Sequence, residues 1–151
     1  MLYKKMGCKF SLLKNATIDN TPLWSLKNQI HYVKVLKVYD GDTIWIAIRI
    51  NFKIYKLKVR MYGIDTPEMK PLKTQKNRDQ EIAAAKKAKK FLADLVDQKV
   101  IKMKCGEWDK YGRLLGTLII KGNGLCSSEI NVNELMIKKG HAKEYFGGTK
   151  K

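Results

Sequence analysis

Three short segments of the chain set acids, arginines and small residues at spacings that suit chemistry on a phosphate. In Asp40-Gly41-Asp42-Thr43, Asp42 offers a hard oxygen ligand to a cation, and Asp40 is placed to orient it from behind. The same residues also read as a plain turn, because Asp-Gly is a strong hairpin dipeptide. In Arg60-Met61-Tyr62-Gly63-Ile64-Asp65-Thr66-Pro67-Glu68, Asp65 can ligate the same cation as Asp42. Glu68 can take a proton from water, and Arg60 can bridge two phosphate oxygens. The competing reading is a turn at Asp65-Thr66-Pro67 with Glu68 as a solvated loop acid. In Asp109-Lys110-Tyr111-Gly112-Arg113, an isolated arginine beside Lys110 and Tyr111 suits a charged, stackable substrate, although such a loop between strands is usually only a turn.

Composition narrows the class of partner. The chain has 151 residues, 44% of them apolar, which fits one domain with a buried core and excludes a disordered chain. No stretch approaches the roughly 18 uncharged apolar residues of a membrane-spanning helix. The formal net charge is +17, so polyanions, nucleic acid foremost and anionic membrane second, are the expected partners. Of 31 basic residues only Arg49, Arg60, Arg78 and Arg113 are arginines, so each is a candidate for a position that needs a planar fork. Between Asn20 and Arg78 there are 12 basic residues and four acids, Asp40, Asp42, Asp65 and Glu68. Such scarce carboxylates, gathered in two segments, point to something coordinated there. Cys8, Cys105 and Cys126 are odd in number and form no CxxC pair, which argues against a disulfide framework or a zinc site. No secretory signal is visible, and an intracellular location is favoured. Met6-Gly7-Cys8-Lys9-Phe10-Ser11 fits an acylation signal if translation starts at Met6, giving a membrane tether through Gly7 and Cys8; otherwise it is an ordinary internal segment.

The elements that must position these groups are legible from periodicity. Residues 1–30 have no sustained period and read as an N-terminal extension, partly ordered by Leu12, Leu13, Trp24 and Leu26. His31 to Tyr39 alternates and Thr43 to Ile50 is a β-rich run. Tyr55, Leu57, Val59 and Met61 alternate with Lys56, Lys58 and Arg60, a strand with one buried and one basic face. Phe52 and Ile54 are in the opposite phase, which puts a turn or bulge around Asn51 to Tyr55. Gln80 to Asp97 is helical, with Ile82, Ala85, Ala88, Phe91, Leu92, Leu95 and Val96 on one face. Val100 to Lys104 and Leu114 to Ile120 read as strands. Asn133 to Lys139 reads as a short helix closed by Gly140. His31, His141 and the cysteines belong to no motif and read as structural.

DGDT, then RxxGIDTPE, then DKYGR, with a helix between the second and third, resembles staphylococcal-nuclease-like (thermonuclease) domains. The resemblance runs from about Val33 to Lys143 and includes Val132-Asn133-Glu134 and Lys139-Gly140-His141-Ala142. It implies an α+β fold, an OB-type five-stranded β-barrel with two to three packed helices, over residues 31–146, followed by a basic tail at 147–151. It also implies hydrolysis of DNA and RNA phosphodiesters with Ca²⁺; a monomer is expected. The metal ligands would be Asp42, Asp65 and the Thr66 carbonyl, and the outer acid Asp40. Glu68 would be the general base, Arg60 and Arg113 the phosphate-contacting arginines, and Lys110 and Tyr111 the pair at the phosphate end of the nucleotide. The C-terminal segment departs from the family pattern, and Tyr145 and Phe146 stand as stacking candidates there. The runner-up is a non-catalytic single-stranded nucleic-acid-binding module on the same barrel.

Overall fold

The computed structural model describes residues 13–74, 76–122 and 128–147. Leu12, the Met6–Ser11 segment, Cys8 and Cys126 lie outside the described residues. In chain order the elements are β1 (Ile30–Val38), β2 (Thr43–Ile50), β3 (Lys53–Met61), β4 (Ile64–Asp65), α1 (Arg78–Val96), β5 (Val100–Trp108), β6 (Leu114–Lys121), β7 (Glu129–Asn131), α2 (Val132–Lys138) and β8 (Lys143–Glu144). Antiparallel pairing gives the order β3-β2-β1-β5-β6, and β3 meets β6 in parallel to close a five-stranded barrel, with β7 pairing antiparallel beside the end of β6. This is the expected OB-type α+β architecture.

Alternation explains what fills it. Ile44, Ile46 and Ile48 of β2 and Val33 and Val35 of β1 are buried, since every second residue of a strand faces the same way. Each such side chain contributes about 1.5–3 kcal/mol on burial. Helix α1 covers the barrel with Ala85, Ala88, Leu92 and Val96, and α2 covers it with Val132 and Met136. At the start of α2 the Asn131 side chain accepts from the Asn133 and Glu134 backbone N–H groups. At its end the Gly140 N–H donates to Ile137 and the His141 N–H to Met136, both at 2.9 Å. Gly140 has φ +72°, the left-handed closure expected for that position.

Two readings are corrected. The third strand starts at Lys53, because the link to β2 is a two-residue turn, Asn51 (φ 48°) and Phe52 (φ 67°), between the paired Ile50 and Lys53. Its apolar face is also buried at one end only: Val59 and Met61 lie in the core, Leu57 is half-buried and Tyr55 is 45% exposed. The hairpin outruns the core, so alternation there does not mean burial. Ahead of β1, Leu26 is a core residue, the Asn28 N–H donates to the Cys105 carbonyl and Trp24 lies 6.4 Å from Trp108. Cys105 is buried, which pushes its thiol up to about 11, so it is inert as a nucleophile. The ring of His141 stacks on Phe91 at 4.4 Å.

Candidate functional site

The first motif forms the turn between β1 and β2, closed by Tyr39 and Asp40 N–H donating to the Thr43 carbonyl at 2.9 and 3.2 Å. The Asp40 side chain accepts the Asp42 N–H at 3.2 Å. The Asp42 carbonyl accepts the Met61 N–H at 2.8 Å, which pins the turn to the end of β3. Gly41 lets the second motif approach: a Cβ there would stand 2.8 Å from Thr66 Oγ1. A side chain at this position would push the Asp42 turn away from the Asp65–Glu68 loop.

Asp42 and Asp65 meet at Arg60. The guanidinium Nη1 lies 2.7 Å from Asp42 Oδ2 and Nη2 lies 2.9 Å from Asp65 Oδ1. Nη2 also donates to the Ile64 carbonyl at 3.3 Å. Arg60 therefore spans the two carboxylates that the sequence pairs around a cation. Burial pushes the Asp42 carboxyl up to about 6, against the pull of Arg60 and of the Thr43 hydroxyl, which donates to it at 2.9 Å. Burial also works against the charge of Arg60, yet Asp42 and Asp65 hold its pKa above the ordinary arginine value.

The donors fit a hard divalent ion. Asp42 and Asp65 with the Thr66 carbonyl are an all-oxygen set. Asp40, Asp42 and Asp65 all act on the single charge of Arg60, so acids cluster at one point of a chain of net charge +17. Among the described residues no three His, Cys, Asp or Glu side chains form a closed metal cluster. Water would complete such an ion's coordination.

Opposite this pocket, Asp109 holds the third motif. Its Oδ1 accepts the Tyr111 and Arg113 N–H groups, both at 2.9 Å, and its Oδ2 accepts Arg113 Nε at 2.6 Å. Burial opposes ionisation of Asp109, but these donors hold its carboxyl below the usual range. Tyr111 is 71% exposed, with Lys110 Nζ 5.1 Å and Arg113 Cζ 5.3 Å from its ring centre. The C-terminal segment arrives through β8, which pairs Glu144 with Ile64 and Lys143 with Asp65. The Tyr145 N–H then donates to the Gly63 carbonyl at 2.9 Å, and Phe146 meets Tyr62 edge-on at 5.8 Å.

Two adjoining grooves result. One, of 720 Å³, is bordered by Asp65, Lys110, Tyr111 and Tyr145. The other, of 320 Å³, is bordered by Asp40, Asp42 and Thr66. Arg60, Glu68 and Arg113 line both. All eleven residues named from the sequence, Phe146 among them, thus border a cleft made of two grooves that meet at Arg60, Glu68 and Arg113. Sequence reading assigned no role to Asp109, although an acid four residues before a lone arginine in a tight turn was a signal for one. It also missed Glu81 of α1, which accepts the Glu68 N–H at 2.9 Å, and buried Asn133. Asn133 accepts from Leu118 N–H and donates to the Tyr62 and Gly116 carbonyls.

Comparison with known proteins agrees with this geometry. The family model described as staphylococcal nuclease homologue matches residues 58–151. An uncharacterized protein of Methanocaldococcus jannaschii is 31% identical over 131 residues, covering 77% of this chain and 60% of the relative. An uncharacterized endonuclease of Haemophilus influenzae is 31% identical over 134 residues, covering 89% and 64%. A micrococcal nuclease of Shigella flexneri is 28% identical over 114 residues, covering 74% and 57%. The chain spans about 60% of the length of these curated relatives. With the motifs gathered in one cleft and the model matched over most of its length, the chain belongs to the staphylococcal nuclease homologue family.

Proposed function

We propose that the chain is a calcium-dependent nuclease that hydrolyses DNA and RNA phosphodiesters by attack of water. One observation carries this reading: Arg60, Glu68 and Arg113 border both grooves, so that two phosphate-binding cations and a proton acceptor share the junction. Arg60 and Arg113 neutralise charge growing on the equatorial phosphate oxygens, and Glu68 orients the attacking water and takes its proton. For this, Arg60 exchanges its carboxylate partners for phosphate oxygens, while Asp109 keeps Arg113 in place through Nε. Asp42, Asp65 and the Thr66 carbonyl would hold the ion, with Asp40 bracing the turn behind them. When bound, Ca²⁺ supplies Lewis-acid polarisation of the phosphate. Lys110 and Tyr111 receive the phosphate end of the nucleotide, and Tyr145 offers a ring to its base.

The test is degradation of labelled single-stranded DNA and RNA in Ca²⁺ and then in excess EGTA. Cleavage that stops on chelation is the expected result. Binding without cleavage under every divalent ion tried would replace the nuclease by the non-catalytic binding module.

A further inference from the structure

The outer face of the β2–β3 hairpin carries a basic, aromatic strip that leaves the cleft at Thr43 and Arg60 and runs beyond it to the hairpin tip. Cross-strand pairs run along it from the cleft outward: Thr43 with Arg60, Trp45 with Lys58, Ala47 with Lys56 and Arg49 with Ile54. Lys37 and Lys34 of β1 flank the strip opposite Trp45 and Ala47. No acid occurs anywhere from Thr43 to Ile64. Lys56 and Lys58 lie 5.5 and 5.8 Å from the Trp45 ring centre, and Lys58 lies 4.6 Å from that of Tyr39. At the far end Phe52 is 90% exposed with Arg49 5.3 Å from its ring centre, and Ile54 is 74% exposed.

Phe52 is the telling residue. Its φ of +67° is a conformation in which glycine is at ease and a bulky side chain is strained. The chain accepts that strain at a solvent-exposed turn, where the ring contributes nothing to the core. Strain kept without a packing return marks a residue held for contact with something else.

We propose that this face, from Arg60 to the Phe52 tip, is a second contact surface for the flanking part of a single-stranded nucleic acid whose scissile phosphate lies in the cleft. The substrate class rests on the nuclease reading. Successive same-face residues are about 6.6 Å apart, so the three steps from Arg60 to Ile54 span roughly 20 Å before the Phe52 tip, room for several nucleotides. Lys34, Lys37, Lys56 and Lys58 meet phosphates, and the rings of Trp45 and Phe52 stack on bases, a combination that binds unpaired strands without reading sequence. An anionic membrane would also attract lysines. The strip, however, ends in the cleft's own Arg60, which favours a polymer that reaches both places.

Fluorescence anisotropy in EGTA, where cleavage is absent, separates the possibilities. The probes are an oligothymidylate of about 16 nucleotides, a thymidine dinucleotide and vesicles of phosphatidylcholine with or without phosphatidylserine. Two variants carry the test, Phe52→Gly and the double change Lys56→Gln with Lys58→Gln. The long oligonucleotide is expected to bind wild type far more tightly than the dinucleotide. Phe52→Gly is expected to weaken the long oligonucleotide at least fivefold while melting at a higher temperature, which a structural role for the ring would not allow. The double variant is expected to weaken it about tenfold and to flatten its logarithmic salt slope by about 1.4. Dinucleotide affinity is expected to hold in both. Unchanged binding of the long oligonucleotide in both variants would overturn the proposal. So would loss confined to phosphatidylserine vesicles, which would make the face a membrane surface. Strip-dependent binding without cleavage once Ca²⁺ is restored would remove the nuclease reading and leave the strip standing.

Discussion

Arg60 concentrates the chemistry of the site at a single residue. Its two guanidinium nitrogens each take one carboxylate, Asp42 and Asp65, and the three side chains are 17%, 7% and 22% exposed. Arg60→Ala removes the shared partner of two largely buried ion pairs, so it is expected to lose about 3–5 kcal/mol of stability in EGTA and about 10²–10³ in turnover. Urea unfolding and single-turnover cleavage measure the two losses, and added Ca²⁺ should recover part of the first only. Equal stability of variant and wild type in EGTA would mean that the bridge is not a structural element. Asp109 supplies a pH signature. Its folded pKa lies below its unfolded one, so its contribution is complete above the ordinary aspartate value of about 3.9 and is lost as pH falls through the depressed value. Asp109→Asn should therefore flatten the acid limb of a melting-temperature profile and loosen Arg113. An unaltered acid limb would refute the assignment. At this scale the sequence was readable where residue types are rare: four arginines among 31 basic residues and few acids. It was silent on which carboxylate holds which arginine, because that depends on rotamers and loop closure.

At the scale of elements, function depends on loops that do not adjoin in sequence. The β1–β2 turn and the segment after β4 touch through Gly41 and Thr66, and Asn133 of α2 ties together carbonyls near the ends of β3 and β6. Gly41→Ala is expected to cost about 1–3 kcal/mol by overpacking and to raise the Ca²⁺ concentration for half-maximal activity at least tenfold, since it separates Asp42 from Asp65. Calcium titrations of initial rate test this, and an unshifted midpoint would show that the two loops do not act together. Strand and helix positions were legible to within a few residues, because Ile44, Ile46 and Ile48 alternate and Ala85, Ala88 and Leu92 recur at helical spacing. The short strands β4, β7 and β8 were not. Pairs such as Asp65 with Lys143 join distant residues and leave no local pattern.

For the whole molecule, the parallel closure of β3 on β6 is the step that carries Arg60 to the side of Leu115 and so brings the second and third motifs to one cleft. Nothing in hydropathy marks that closure; only the order and spacing of the three motifs, through family resemblance, implied it. Net charge of +17 acts on the same scale. Affinity for single-stranded DNA should fall steeply with salt, with a logarithmic slope near 0.7 per phosphate contacted. A flat response in a salt series of binding isotherms would contradict charge-driven attachment. On the proposed function, Asp42, Arg60, Glu68 and Arg113 form a catalytic site and not merely a binding surface. The most direct test is single-turnover cleavage of single-stranded DNA at saturating Ca²⁺ by wild type and Glu68→Gln, with substrate affinity measured alongside. The expected result is cleavage by the wild type, a rate about 10²–10⁴ lower in the variant and unchanged affinity. Near-native turnover in the variant, or a wild type that binds and never cleaves, would contradict it.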